Sequence, residues 1–221
     1  MKKIAILPLK AHSVRVPDKN FKPFAGSSLA DIKITMLLTA MEKGIIDQVV
    51  VNSESQHVLD EMQALYPEIT PRKRVAYYAY HASGSEFFRN LAEVEAPGSL
   101  LIYSPCTSPF ITLETFADAL RILETASEID SVVTVEALYD HLWYDHKPLN
   151  YQVEESPNSQ DLQPAFKITY GIGALPRELM IERRNIIGHT PYFIPLGPKE
   201  AVDIDTESDF KIAELYANGI L

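Results

Sequence analysis

The stretch Ile4-Ala-Ile-Leu-Pro-Leu-Lys-Ala-His-Ser-Val-Arg-Val-Pro-Asp-Lys-Asn20 joins a short apolar run to a long polar one. Residues 4–7 predict a buried β-strand that Pro8 ends, because proline has no N–H to donate within a central ladder. Residues 9–26 show no hydrophobic period and predict a loop. Long loops in compact domains are commonly functional, so we expect a site at this junction.

Strands and helices alternate on the C-terminal side of this loop. Ser28 is placed to cap a helix that reaches about Lys43 and ends at Gly44, with Asp31 at the third helical position. Apolar runs predict strands at 48–52, 99–103 and 131–135, and helical periodicity predicts helices through Val58 and Leu65, at 84–95 and at 112–126. The alternation predicts an α/β fold, a mainly parallel sheet flanked by helices. Ligands of such sheets bind at the carboxyl ends of the strands, where the loop after residue 7 would lie.

The pattern changes from residue 139 to residue 164, which are polar and contain Trp143 and Tyr144. We interpret this stretch as a small projecting arm or β-extension of a single domain covering residues 1–221. Strands at 168–175 and 192–195 and a closing helix at 206–217 are predicted after it.

Composition narrows the function classes. The chain has 30 acidic and 20 basic residues and a formal charge of −10, which disfavours nucleic acid as a partner. A single cysteine, Cys106, precludes an internal disulfide framework and favours a reducing, cytoplasmic location. The N-terminal apolar run is too short for a signal peptide, and no run approaches the length of a membrane span.

Basic residues are nevertheless clustered in the loop, which predicts a small phosphate ligand. The sequence contains neither a P-loop nor a G-x-G-x-x-G motif. The loop instead offers cations, polar side chains and backbone N–H groups to a triphosphate. The candidate residues are Lys10, Ser13, Arg15, Lys19 and Asn20. The alternative is an ordinary solvated surface loop.

A second motif lies near the C-terminus. In an extended segment Asp203 and Asp205 point to the same side, because side chains alternate with period two. Two carboxylates held at a strand end suit a hard cation such as Mg²⁺. Thr206 follows as a helix N-cap with Asp209 at the third position. The alternative is that these acids only cap and solvate the last helix.

Taken together, four blocks of the chain resemble the acylneuraminate cytidylyltransferases, the family that makes CMP-sialic acids. The first block follows the family pattern P-x-R-x-G-S-x-R-x-P-x-K-N and the turn after it. It retains Pro8, Ser13, Arg15, Pro17, Lys19, Asn20, Pro23, Phe24, Gly26 and Leu29. The others are Val50-Val-Asn-Ser-Glu-Ser55, Thr107-Ser-Pro109 and Asp203-Ile-Asp-Thr-Glu-Ser-Asp-Phe210.

The resemblance implies a nucleotide-diphospho-sugar-transferase-like fold, a homodimer, Mg²⁺, and CTP with an acidic nonulosonic sugar as the substrates. It implies that the loop residues hold the nucleotide and that Lys10, Arg15 and Lys19 act in catalysis with the two aspartates. Arg74 and Ser83 would contact cytosine, and Asp203 and Asp205 would bind the metal. Gln160 and Asp161, which match a Q-D-L-P-x motif, would lie near the sugar or at the dimer contact. Lys167 and Arg177 are candidate partners of the sugar's carboxylate from their region of the sequence alone.

The chain departs from the family pattern mainly on the sugar side. Lys10 replaces the first loop arginine, and Ala11-His12 replaces a glycine pair. Pro105 stands where the family has glutamine, Ile111 where it has arginine, and Phe166-Lys-Ile-Thr-Tyr170 where it has Y-x-x-N-G. Two alternatives therefore stay open: a catalytically silent nucleotide-binding relative, and a nucleotidyltransferase for another sugar acid, such as a deoxy-octulosonate.

Overall fold

A computed structural model describes residues 1–220, which contain nine strands, seven α-helices and two short 3₁₀ helices. The strands are Lys3–Leu9 (β1), Gln48–Ser53 (β2), Thr70–Lys73 (β3), Leu100–Tyr103 (β4), Ser131–Leu138 (β5), Trp143–Tyr144 (β6), Lys147–Pro148 (β7), Ala165–Pro176 (β8) and Pro191–Pro195 (β9). The helices are Leu29–Glu42 (α1), Gln56–Leu65 (α2), Tyr77–Tyr80 (α3), Gly84–Glu93 (α4), Leu113–Thr125 (α5), Arg177–Arg183 (α6) and Glu207–Ala217 (α7).

Seven of the strands form one sheet in the order β3-β2-β1-β4-β8-β5-β9. Neighbours pair in parallel except at β8, which runs antiparallel to both β4 and β5. Residues of β1 alternate between the two faces: Ala5 and Leu7 pack with α1, α2, α5 and α7, while Ile4 and Ile6 pack with α4 and α6. The predicted fold class, a mainly parallel sheet with helices on both faces, is confirmed.

The prediction that β1 stops at Pro8 is wrong. The strand runs through Pro8 to Leu9, and Pro8 lies opposite Asn52 of β2. The physical reason is the length of β4, which pairs only with residues from Lys3 to Ile6. Beyond Ile6, β1 has a strand on one side only, so a residue without an N–H fits there.

The capping predictions are confirmed. The Ser28 hydroxyl accepts a hydrogen bond from the Asp31 N–H at 3.1 Å, which starts α1 directly after the loop. Thr206 and Asp209 form a reciprocal capping box at the start of α7. The first cap fixes the end of the loop after β1, and the second fixes the end of the segment that contains Asp203 and Asp205.

Residues 139–164 lie outside the seven-stranded sheet, between β5 and β8. They contain the two-stranded β6–β7 sheet, and the Trp143 indole N–H donates to the Tyr151 hydroxyl at 2.6 Å. Trp143, Tyr144 and Leu149 are exposed. This segment is called the arm below. No helix among residues 1–220 is long and apolar enough to cross a bilayer.

Candidate active site

The loops that follow β1, β3 and β4, together with the segment before α7, enclose a cavity of about 430 Å³. A volume in this range is typical of small-ligand sites. Every predicted nucleotide-binding and metal-binding residue lines this cavity. They are Lys10, Ser13, Arg15, Lys19, Asn20, Arg74, Ser83, Asp203 and Asp205.

The loop after β1 is held in place by buried Asn20. Its side-chain amide donates to the Lys10 carbonyl at 3.1 Å, and its carbonyl oxygen accepts from the Cys106 thiol at 3.2 Å. Burial raises the pKa of Cys106 to about 12, so the thiol stays protonated and acts as a packed donor. Asn20 therefore closes the loop upon itself and fastens it to the chain after β4.

Two loop cations contact the acidic segment before α7. The Arg15 guanidinium donates to Asp205 at 2.7 Å, and the Lys19 ammonium lies 3.7 Å from the same carboxylate. Lys19 also donates to the Ile204 carbonyl. The two sequence motifs, more than 180 residues apart in the chain, thus lie side by side through these contacts.

Asp203 and Asp205 both line the cavity, and Ile204 between them is buried. The sequence predicted that this segment lies at the end of a strand, and that prediction is wrong. The segment is irregular, and the Ile204 N–H donates to the Thr107 carbonyl at 2.9 Å, in the loop after β4. The predicted alternation is observed: Asp203 and Asp205 face the cavity, and Ile204 faces the core.

The donor set at these carboxylates fits a hard cation. Burial raises the pKa of Asp203 above its ordinary value, against a hydrogen bond from Thr107 that lowers it. Its buried Oδ1 atom has no hydrogen-bond partner. Within the described residues no group of three His, Cys, Asp or Glu side chains could hold a metal by itself. Two carboxylates are sufficient for Mg²⁺ that takes its remaining ligands from phosphates and water.

Arg74 and Glu54 form a buried ion pair at the wall of the cavity, with side chains 1% and 5% exposed and 2.9 Å apart. Arg74 also donates to the Leu9 carbonyl at 3.0 Å and to the Asn52 carbonyl at 2.7 Å. Glu54 accepts from the Ala11 N–H at 2.7 Å. Sequence reasoning predicted Arg74 but missed Glu54, although an acid directly after a buried strand was a usable signal.

Ser83 and Lys10 lie at the mouth of the cavity. The Ser83 side chain caps α4 in a capping box with Glu86. The Lys10 ammonium is 5.9 Å from the centre of the Tyr80 ring, and burial together with the charge of Arg74 lowers the pKa of Lys10. The Lys10 side chain lines the cavity, and its ammonium forms no ion pair with a carboxylate of the described residues.

The predicted sugar-side residues are not at this cavity. Gln160 and Asp161 lie in a short 3₁₀ helix of the arm, and the exposed Lys167 pairs with Glu136 at 3.0 Å. Arg177 donates to the Ala92 and Glu95 carbonyls at the end of α4. The cavity is lined in addition by aromatic side chains that the sequence did not identify as site residues. They are Tyr78, Tyr80, Phe87, Tyr103 and Tyr170.

Solved structures with the same architecture cover nearly the whole chain. A 4-diphosphocytidyl-2C-methyl-D-erythritol synthase from Anaerococcus prevotii DSM 20548 has a TM-score of 0.72 at 13% identity, covering 98% of this chain and 96% of its own. A CMP:2-keto-3-deoxy-manno-octonic acid synthetase complexed with CTP has a TM-score of 0.68 at 16% identity, covering 100% of both chains. Another 4-diphosphocytidyl-2C-methyl-D-erythritol synthase has a TM-score of 0.64 at 12% identity, covering 97% of both.

No family model and no curated protein matches the sequence. At identities this low the likeness to solved structures establishes the fold alone. The class that the structure defines is therefore an α/β protein with a mainly parallel sheet flanked by helices, in the arrangement that these synthases and the synthetase share.

The Glu54–Arg74 pair generates a stability prediction. Replacing Glu54 with Gln leaves Arg74 buried without its counter-charge, so the free energy of unfolding at pH 7 should fall by about 3–5 kcal/mol. The control is Glu93→Gln, which breaks the exposed pair with Arg89 and should cost about 1 kcal/mol or less. Urea unfolding measures the loss in unfolding free energy for each variant. Equal losses would show that the buried pair stabilises the fold no more than the exposed pair does.

The same pair predicts a pH dependence. Burial tends to raise the pKa of Glu54, but hydrogen bonds from Tyr80 and Ala11 and the charge of Arg74 outweigh it and lower the pKa. A lowered pKa in the folded state adds stability above the unfolded-state pKa, and this is lost as pH falls through the folded value. The difference in unfolding free energy between wild type and Glu54→Gln should therefore shrink below about pH 4.5.

Proposed function

We propose that this chain is a cytidylyltransferase of the acylneuraminate type, which couples CTP to a 2-keto-3-deoxy nonulosonic acid and releases pyrophosphate. The observation that carries the proposal is the convergence of separate sequence motifs on one cavity. Loop cations, Arg74 with Ser83, and the Asp203–Asp205 pair come from different parts of the chain and line the same space. The resemblance gave each a role in handling the nucleotide, and the shared fold is consistent with those roles.

In the proposed reaction the anomeric hydroxyl oxygen of the sugar acid attacks the α-phosphorus of CTP. A new O–P bond forms and the hydroxyl proton is released to solvent. The bond from the α-phosphorus to the bridging oxygen breaks, and pyrophosphate leaves with that electron pair. Lys10, Arg15 and Lys19 are positioned by the loop to neutralise negative charge on the leaving group. Asp203 and Asp205 would hold Mg²⁺, which when bound stabilises charge on the phosphoryl oxygens.

The two open alternatives give different results in one assay. Pyrophosphate release from CTP is followed with nonulosonic acids and with 2-keto-3-deoxy-manno-octonic acid. The octonic acid is a second candidate substrate, because the synthetase for it shares the fold over the full length of both chains. CTP binding without release in the presence of any acid would identify a catalytically silent relative.

Loss of one loop cation should weaken the binding of CTP. Arg15→Ala removes a charged hydrogen-bond donor, so we expect a loss of about 1.5–3 kcal/mol in CTP binding by calorimetry. Arg121→Ala is the matched control, since both arginine side chains are 65% exposed and each pairs with an aspartate, while Arg121 lies on α5 away from the cavity. Equal CTP affinity in the two variants would remove the loop from the nucleotide site.

The aspartate pair should govern turnover. Asp203→Asn keeps the shape of the side chain and removes its charge, so pyrophosphate release should fall on the order of 10²-fold or more across a magnesium titration. Metal-free CTP affinity should change little, because Lys10 and Arg15 remain. Asp209→Asn tests the capping alternative, since the Asp209 carboxylate accepts from the Thr206 N–H at the start of α7 and does not line the cavity. Normal turnover in Asp203→Asn would remove the proposed metal site.

We also propose that the exposed apolar side chains of the arm bind a second copy of the chain. Leu149 in the arm and Leu65 on α2 are 62% and 61% exposed, so they form a matched pair. Leu149→Asp should shift the protein from dimer to monomer in sedimentation at micromolar concentration, because a charge would be buried in the interface. Leu65→Asp should leave the dimer intact. A wild-type monomer would contradict the proposal.

A further inference from the structure

Two of the aromatic residues that line the cavity, Tyr103 and Tyr170, lie on strands that hold none of its cations. The loop cations follow β1, and Arg74 follows β3 on the same side of the sheet order. Tyr103 ends β4, and Tyr170 lies within β8, the next strand beyond. Tyr78, Tyr80 and Phe87 follow β3 and lie among the cations. The part of the cavity formed by β4 and β8, called the aromatic side below, holds Tyr103 and Tyr170 and none of the proposed nucleotide residues, which leaves it for the acceptor.

Tyr170 has a backbone conformation that is rare for a residue with a side chain. Its φ is 57°, in the left-handed region, where bulky residues are disfavoured. The Thr169 hydroxyl contacts the Thr134 hydroxyl at 2.9 Å, and the Ile172 N–H donates to the same Thr134 oxygen at 2.9 Å. The register between β5 and β8 shifts at this point. The Thr134 contacts on both sides of Tyr170 hold this conformation in place.

The ring of Tyr170 is supported from one side and open on another. It stacks on Phe88 with ring centres 6.3 Å apart and planes 9° from parallel. Phe88 in turn packs edge-to-face against Tyr103 at 5.2 Å. Tyr170 keeps 39% of its surface exposed and lines the cavity. A rigid aromatic surface is thus presented to the cavity at low cost in side-chain entropy.

The cations that line the cavity do not belong to this aromatic side. Arg15 and Lys19 contact Asp205, and Arg74 is bound by Glu54. Lys10 extends from the loop after β1 towards Tyr80. Recognition at the aromatic side therefore depends on ring contacts rather than on an ion pair.

We infer that Tyr170 is a specificity-determining residue, whose ring packs against the apolar C–H face of the acceptor's sugar ring. This inference rests on the proposed function. In this inference β8 discriminates between acceptors, and the loop after β1 binds CTP.

Tyr170→Gly is the sharp test, because glycine adopts a φ of 57° without strain and the variant should fold. Pyrophosphate release is measured for wild type, Tyr170→Gly and Tyr170→Phe, with the sugar acid that wild type uses best. In Tyr170→Gly the KM for the acceptor should rise on the order of tenfold, while the KM for CTP stays unchanged. Tyr170→Phe keeps the ring and should retain the wild-type KM for the acceptor.

The outcomes separate this inference from the proposed function. Release by wild type combined with an unchanged acceptor KM in Tyr170→Gly would overturn the role of Tyr170 alone. Equal rises in KM for CTP and acceptor would show a general structural defect and would also overturn it. Absence of release by wild type with every acid would overturn the proposed function and this assignment with it.

Discussion

The buried ion pair between Arg74 and Glu54 is the interaction on which the site depends. Arg74 follows β3, yet its guanidinium binds the Leu9 carbonyl at the end of β1 and the Asn52 carbonyl of β2. Glu54 returns a hydrogen bond to the first part of the loop at Ala11. One charge pair therefore joins the carboxyl ends of three adjacent strands. Because both charges are out of water, each needs the other as its counter-charge. Their hydrogen bonds to Leu9 and Ala11 fix the direction in which the loop after β1 leaves the sheet.

This arrangement explains how a strongly acidic chain can hold several cations at one place. Lys10, Arg15 and Lys19 lie in one loop and would repel each other if they were free. Asp205 receives two of them, and Lys19 also donates to the Ile204 carbonyl. Asp203 beside it keeps a buried oxygen without a partner. The resting contacts thus position groups that a triphosphate and a cation would engage in the proposed reaction.

Local chemistry made much of the fold predictable from the sequence. The start of α1 follows from Ser28 and Asp31, and the core strands follow from their apolar runs. β3 and α3 were missed because Thr70–Lys73 and Tyr77–Tyr80 are four residues each and lack a period. The end of β1 was misplaced because the tolerance for proline depends on the length of β4, which is a tertiary property.

The residues of the site show the same difference between local features, which the sequence predicts, and tertiary features, which it does not. The residues proposed for the nucleotide and the metal belong to short motifs with a recognisable order, and all of them line the cavity. Gln160 and Asp161 were assigned from a short motif and Lys167 from its region, and none of the three lines the cavity. The sequence marked Tyr170 only as the end of a stretch that departs from the family pattern. Its left-handed conformation could not be predicted, since it depends on Thr134 of another strand.

The antiparallel insertion of β8 has a consequence for synthesis on the ribosome. β8 separates β4 from β5, so the parallel strands on its two sides have no direct contact within the sheet. A nascent chain that has emerged only as far as α5 exposes one edge of β4 with unpaired backbone groups. That edge is filled after Pro176 emerges, 51 residues beyond Thr125 at the end of α5. The protein thus spends part of its synthesis with an open sheet edge, the kind of surface that chaperones shield from other chains.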